Sequence, residues 1–490
     1  MKKKIIAVIF KWYGFIFLFL FLSLIDNSGW AQSKQSTPQK GAPDIFQLYT
    51  VLVGKQPYGF LGQSLAADAD LNSDGQQDMV IGANGAGPSR QGVVYIFSRN
   101  SYTDVTDPAT AEVQIVGEKP GDQFGWALTT RGDFNGDGQK DLVVAALKTD
   151  HRGQVYIFEG GKIPAKGQVK ASSANHVIIS KDSTETFGFV VSADGDINGD
   201  GISDLVISAP SNSALGKEAG KVYIFQGGGW GDTLWTDDAA CVITGEKEYD
   251  HLGSSITCGG NIIGDKINDL VIGAFFSSQD SMNGGRGYVL EGRRLWEQRI
   301  PAAQADLIIG NSAPESWLGT AAEIIGDING DGKDELLISA SGKYIHGDDA
   351  GAVFLFYGGK KKGKVSVQNA DMTFTSGRTG NNFGTSIVRT GDIDGDNKED
   401  WIISEPGGTV PGKDYYGRIY LFPTSFLSRN DFSNVIEEPI PNNYFGKSIS
   451  VGDINGDGKK EIIAGAFNDN SGGQKGGKVV VFKILPFKKK

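Results

Sequence analysis

Two cysteines in 490 residues, Cys241 and Cys258, exclude a disulfide scaffold, so an exported chain of this length needs another staple. Four histidines occur, His151, His176, His251 and His346, and none stands in an HxxxH or HExxH pair, which leaves hydrolytic zinc without its usual ligands. Positive charge is also short. Lys and Arg number 47 against 58 Asp and Glu, for a formal net charge of −11. Residues 1–31 hold four Lys and one Asp, so the remainder stands at −14, which disfavours nucleic acid and anionic lipid as partners. No G-x-S-x-G elbow lies between a strand and a helix, and both cysteines fall inside strand-like segments. Catalytic residues are therefore expected to be absent, and the chain is expected not to be an enzyme.

The one long apolar run is residues 5–25, behind Lys2, Lys3 and Lys4. It has the form of a signal peptide over residues 1–31, with Gly29 and Ala31 as small residues for cleavage. The chain is thus expected to be secreted or at the cell surface, the periplasm included. The alternative is an uncleaved N-terminal anchor, because the run is long and Lys11 interrupts it. Residues 32–44 read as a linker and 484–490 as a basic tail.

Glycine is abundant, at 70 residues, while proline contributes 16, a balance suited to tight turns between short strands. Seven copies of one pattern fill residues 45–483. Their acidic centres begin at Asp70, Asp133, Asp196, Asn261, Asp327, Asp392 and Asp453, spaced 61 to 66 residues apart. A fixed period of that length marks supersecondary units that must stack to bury their apolar faces. The second copy is the clearest: a strand from Phe124-Gly125 to about Arg131, the acidic loop, DLVVAA at 141–146 and QVYIF at 154–158. A fourth strand precedes the next copy, as in VQIVG (113–117), CVITG (241–245) and DLIIG (306–310).

Seven four-stranded antiparallel blades pack radially, so the expected fold is an all-β, seven-bladed β-propeller. An apolar residue followed by Gly opens each copy: Leu61-Gly62, Phe124-Gly125, Phe187-Gly188, Leu252-Gly253, Leu318-Gly319, Phe383-Gly384 and Phe445-Gly446. These pairs suit a wedge between blades. The last copy runs out after VVVF (479–482), whereas IFQLYTVLVG (45–54) has the strand-four pattern with no blade of its own. The N-terminal strand is expected to complete the last blade and clasp the ring.

The acidic loops read Asp-x-(Asn/Asp)-x-Asp-(Gly/Asn)-x-x-(Asp/Glu), which supplies hard oxygen ligands for Ca2+. The expected ligands are Asp70, Asn72, Asp74, Gln76 and Asp78; Asp133, Asn135, Asp137, Gln139 and Asp141; Asp196, Asn198, Asp200, Ile202 and Asp204. The later copies supply Asp327, Asn329, Asp331, Lys333 and Glu335; Asp392, Asp394, Asp396, Lys398 and Asp400; and Asp453, Asn455, Asp457, Lys459 and Glu461. The seventh position of each offers its backbone carbonyl. The fourth copy departs, with Asn261 first, Ile263 third and Lys266 in place of Gly, so about six ions are expected and none in blade four. A turn needs the glycine but not a carboxylate at position nine, which favours metal over hairpin chemistry.

Phe-Gly, then Gly-Asp-x-Asn-Gly-Asp-Gly, then a triplet such as Ser208-Ala209-Pro210 or Gly82-Ala83-Asn84 resembles the FG-GAP repeat, as in the propeller that heads integrin α subunits. The resemblance implies calcium in the first inter-strand loop on a lower face and partner binding on the opposite face. It covers a propeller alone, without an integrin's further domains. A glycosylphosphatidylinositol-specific phospholipase also carries such repeats, beside a catalytic domain expected to have no counterpart here. The expected role is an adhesion or protein-interaction module, a monomeric ring binding a protein or glycan through His251, Trp317, Tyr344, His346, Tyr415 and Tyr416. A carbohydrate-binding propeller or polysaccharide-active enzyme is the alternative.

Overall fold

The computed structural model describes residues 45–98, 105–147, 152–183, 185–264, 266–342, 350–359, 362–378, 380–407, 415–429 and 434–486. The expected signal peptide and linker lie outside them. Seven sheets form, one per repeat, each with strand one innermost and antiparallel pairing outwards through strand four. In blade two these strands are Phe124–Thr129, Leu142–Ala146, Gln154–Phe158 and His176–Ile179. The second strands are mostly apolar and buried along their whole length on both faces, as strands sandwiched between neighbouring blades must be.

Among the described residues, five blades carry a fifth strand that the repeat pattern did not reveal. Gly167–Lys170, in the connection between strands three and four of blade two, pairs in parallel with Val113–Val116, the outer strand of blade one. Thr233–Trp235, Arg299–Pro301, Gly363–Ser366 and Val105–Thr106 repeat the arrangement on blades two, three, four and seven. A short 3₁₀ turn, such as Ala171–Ser173, then returns the chain to its own blade. Each added strand covers an otherwise open sheet edge and laces one blade to the next.

The clasp forms as expected. Phe46–Val53 pairs antiparallel with Lys478–Ile484 as the fourth strand of blade seven, with a bulge between Leu48 and Thr50.

The apolar opener of each repeat is a wedge. Leu61, Phe124, Phe187, Leu252, Leu318, Phe383 and Phe445 are all at most 2% exposed. Phe124 meets Tyr156 edge-on at 5.5 Å, and Phe187 and Phe383 meet Tyr223 and Tyr420 in the same way at 5.4 Å. The glycine that follows is needed twice over. Gly125 has φ of 86°, and a Cβ there would stand 3.1 Å from Val94 Cγ2 of the preceding blade.

Charged side chains in or just after the first strands of five blades meet across the centre of the ring. The Arg131 guanidinium lies 2.7 Å from Asp68, 2.7 Å from Asp194 and 3.7 Å from Glu323, and Arg389 lies 3.4 Å from Asp194 and 3.6 Å from Glu323. Burial pushes the Glu323 carboxyl up to about 7 despite both arginines.

Cys241 and Cys258 are free and buried in one core cluster. Burial pushes both thiols up to about 12.

Candidate metal centres and the opposite face

Each acidic loop leaves the end of strand one and is folded by its own carboxylates. In blade two, Asp133 Oδ1 accepts from the amides of Gly136 at 2.8 Å and Asp137 at 3.2 Å, and Oδ2 from Gly138 at 2.8 Å. Asn135 and Asp137 accept from amides two residues on, at 2.9 Å each. Position six must be left-handed: Gly75, Gly138, Gly201, Gly332 and Gly458 have φ between 81° and 93°, and Asn397 takes the place in blade six at 64°. The same contacts recur from Asp196, Asp327 and Asp392.

Position nine begins the buried second strand. Asp141 accepts from the Phe134 and Gly160 amides at 2.8 and 2.9 Å, which points its carboxylate at the loop. Burial is the largest cause that raises these groups, and the loop's other carboxylates add to it. Asp78 and Asp141 are pushed up to about 6, Asp204, Asp400 and Glu461 to about 7, and Glu335 to about 8. Oxygens of Asp392, Asp394 and Asp400 lie within 4.8 Å of one another, and Glu335 Oε1 is buried without a hydrogen-bond partner. Converging oxygens that repel one another, with amides already fixing them, fit a hard divalent cation.

Position seven could have spoiled that fit, because Lys333, Lys398 and Lys459 stand there in three loops. Two of the ammonium groups point away. Lys333 Nζ donates to the Gly264 carbonyl at 2.8 Å and Lys398 Nζ to that of Ile328 at 2.6 Å, both in the preceding loop. Blade seven is the least favourable seat, with Lys483 Nζ 3.5 Å from Asp457.

The blade-four loop does not fit a metal. Ile263 replaces a ligand, and Lys266 adopts φ of 85° where the others have glycine or asparagine. Asp269 is held by the amides of Ile263 and Gly292 as Asp141 is by its own pair, so the defect lies in the loop before it. Among the described residues, Asn261 Oδ1 is buried and unpartnered.

Strand three adds groups that the loop pattern missed. Ser98 donates to Asp78 at 2.7 Å and accepts from Asn72 at 2.6 Å. Glu159 accepts from Asn135 at 3.2 Å and lies 3.1 Å from His176 Nε2. Both follow the terminal Phe of strand three, so aligning repeats on that Phe would have found them.

The opposite face corrects the reading of exposed aromatics. His251 is 3% exposed, packed against Phe275 and Phe276 at 5.9 and 5.1 Å, and burial lowers its pKa to about 4. Tyr415 is 7% exposed. Loop position alone does not report how neighbouring blades cover a ring. Trp317 and Tyr416 are half-buried, and Tyr344 and His346 lie outside the described residues. Among the described residues, Tyr249, Leu215 and Met282 are the large apolar groups that do reach solvent on these loops, at 46%, 54% and 62%. Left-handed pairs two residues apart recur there: Tyr58 and Phe60, Tyr249 and His251, Glu315 and Trp317, Asn442 and Tyr444. Strained backbone at bulky residues needs support from the surrounding fold.

The FG-GAP repeat model matches residues 61–97, 124–158, 187–225, 321–356 and 445–482, within blades one, two, three, five and seven. Human phosphatidylinositol-glycan-specific phospholipase D is 26% identical over 480 residues, covering 87% of this chain and 55% of that protein. The rat protein of that name is 29% identical over 416 residues, covering 76% and 46%. Drosophila melanogaster integrin alpha-PS2 is 32% identical over 185 residues, covering 36% and 13%. The chain spans about half the length of the phospholipase relatives. These matches overturn the expectation that the chain is not an enzyme, because the relatives aligned with most of it bear an enzyme's name. A search for contiguous motifs sees only constellations already legible in one stretch of sequence. Among the described residues, no helix is long and apolar enough to cross a membrane. The chain is a seven-bladed propeller in which five blades match the FG-GAP repeat, similar in sequence to integrin α chains and to phosphatidylinositol-glycan-specific phospholipases D.

Proposed function

We propose that the chain is an exported, calcium-loaded interaction module that presents the face opposite its acidic loops to a protein or glycan. The observation that supports the metal reading is the set of six buried position-nine carboxyls, each raised by burial and by the other carboxylates of its loop, with the oxygens of Asp392, Asp394 and Asp400 within 4.8 Å of one another in blade six. A cation would supply the missing counter-charge and hold the strand-one to strand-two turns. Asp at positions one and five, Asn or Asp at three and the carboxylate at nine would bind it by side chains, with the position-seven carbonyl. The test is metal analysis of chelator-stripped protein reloaded with calcium or magnesium. Six calcium ions per chain are expected, with none in blade four and weak retention of magnesium, whose octahedral shell suits such a crowded cage poorly. Absence of stoichiometric calcium would end the reading.

The alignment over 87% of the chain with a phosphatidylinositol-glycan-specific phospholipase D favours a second reading, in which the ring serves the handling of an inositol-glycan lipid. Incubation with a glycosylphosphatidylinositol-anchored reporter on vesicles separates its forms. Release of the reporter supports hydrolysis, retention of the protein on the vesicles supports binding alone, and neither outcome leaves the first reading.

A further inference from the structure

The acidic loops are linked around the whole ring, by position seven or eight of one loop against the preceding loop or, at Thr390, the strand that leads into it. Asn268, at position eight of blade four, holds Asp196, the first residue of the blade-three loop, on both sides. Its amide donates to the Asp196 carbonyl at 3.4 Å, and its Oδ1 accepts from the Asp196 amide at 3.0 Å. Asp334 of blade five holds Asn261 of blade four in the same way, at 3.0 and 2.7 Å. Ser203 donates its amide to the Asp133 carbonyl at 3.2 Å. Gln77 of blade one closes the circle by accepting from the Asp453 amide at 2.6 Å. The remaining boundaries are bridged by Ser73 to Gln139, Lys398 to Ile328 and Lys460 to Thr390.

Positions seven and eight lie directly before the carboxylate of position nine. Fixing a loop's end therefore fixes the group that grips the loop before it. Blade four makes this visible, because its own ligand set is broken while both of its grips are intact. Lys333 and Asp334 of blade five hold the blade-four loop where a metal would have done so, and Asn268 passes that order to Asp196.

We propose that the blade-four loop is a metal-free relay, and that Asn268 is a positioning residue for the divalent cation of blade three. This rests on the calcium reading above. Asn268 would touch no metal, so its effect on metal affinity could come only through the Asp196 backbone.

The experiment titrates calcium-stripped full-length protein with calcium by calorimetry, and with terbium read through tryptophan-excited luminescence. The Trp296 indole N–H donates to the carbonyl of Ile197 at 3.2 Å, which places a sensitiser beside the blade-three loop. Asn268→Ala is expected to weaken one site about tenfold and leave the other five unchanged, in line with outer-shell substitutions at metal centres. Asn268→Asp keeps the acceptor, as Asp334 does in blade five, and is expected to restore the site. Should Asn268→Ala fail to fold, Lys333→Met, which removes the side-chain bond to Gly264 and leaves the two Asp334 bonds in place, is expected to weaken the same site to a lesser degree, and an unchanged site would overturn the relay. Equal affinity of wild type and Asn268→Ala, or no rescue by Asn268→Asp, would overturn the relay and leave the calcium reading standing. Wild-type protein that binds no calcium would overturn both.

Discussion

Ser448 donates its hydroxyl to the carbonyl of Gly62 at 2.6 Å, joining blade seven to blade one across 386 positions of sequence. The contact exists only because the chain's two ends are brought into one blade. The Leu61 amide adds a bond to the Gly476 carbonyl at 2.9 Å, and the Gly54 amide one to that of Gly477 at 2.8 Å.

Deleting residues up to 54 should therefore open the ring. It removes the Phe46–Val53 strand and exposes the edge of Lys478–Ile484. Deleting residues 487–490 removes no described pairing. The first variant is expected to melt far below the second in calorimetry, and equal melting would show that the clasp contributes nothing.

The charge cluster at the centre should be intolerant of losing a cation. Arg131→Met leaves Asp68, Asp194 and Glu323 close together with Arg389 alone to offset them. Breaking a fully buried network in this way costs on the order of 3–5 kcal/mol, and the partial exposure of Arg131 and Asp68 lowers the expected loss to about 1–3 kcal/mol. Chemical denaturation should show that loss, and Arg131→Met combined with Asp68→Asn and Glu323→Gln should recover part of it. A single variant as stable as wild type would mean that water screens the cluster.

Metal-free protein should lose stability as pH rises from about 5 to 8. The position-nine carboxyls are raised in the folded state, so the folded chain binds more protons than the unfolded chain in that window, and the slope of stability against pH is negative. Saturating calcium should remove that slope, because a bound cation favours the ionised form. Thermal melts in chelator and in calcium across this range test both signs. A flat profile in chelator would show that the six carboxyls are ionised without metal.

Partner binding should respond to the aromatics that reach the opposite face and not to those beneath it. With a ligand identified by glycan array or by pull-down from the native surface, Tyr249, Trp317 and Tyr416 are to be replaced singly by Ala. At least one is expected to cost about 2 kcal/mol of affinity with the fold intact. His251→Ala and Tyr415→Ala should instead lower the melting temperature, since both rings are buried. Full affinity in all three of these variants would move the site elsewhere.

The sequence by itself determined the number of blades, the order of strands within each and the place of the acidic loops. Each follows from a local pattern repeated seven times: Phe-Gly or Leu-Gly opening the repeat, oxygen-bearing residues in register in six of the copies, and apolar runs such as Leu142–Ala146 that only burial on both faces explains. The clasp was legible too, because residues 45–54 matched a strand that the last copy lacked. Tertiary structure alone decided what lies between blades. The fifth strands pair residues in parallel across repeat boundaries, and no alternation of polar and apolar side chains encodes a backbone partner more than fifty positions away. The same holds for the Arg131 cluster, gathered from five blades, and for the grip of Asn268 on Asp196, 72 positions apart. Exposure was the last thing that order in sequence could give. His251 and Tyr249 stand two residues apart in one loop, yet packing against Phe275 and Phe276 buries the first while the second remains in solvent.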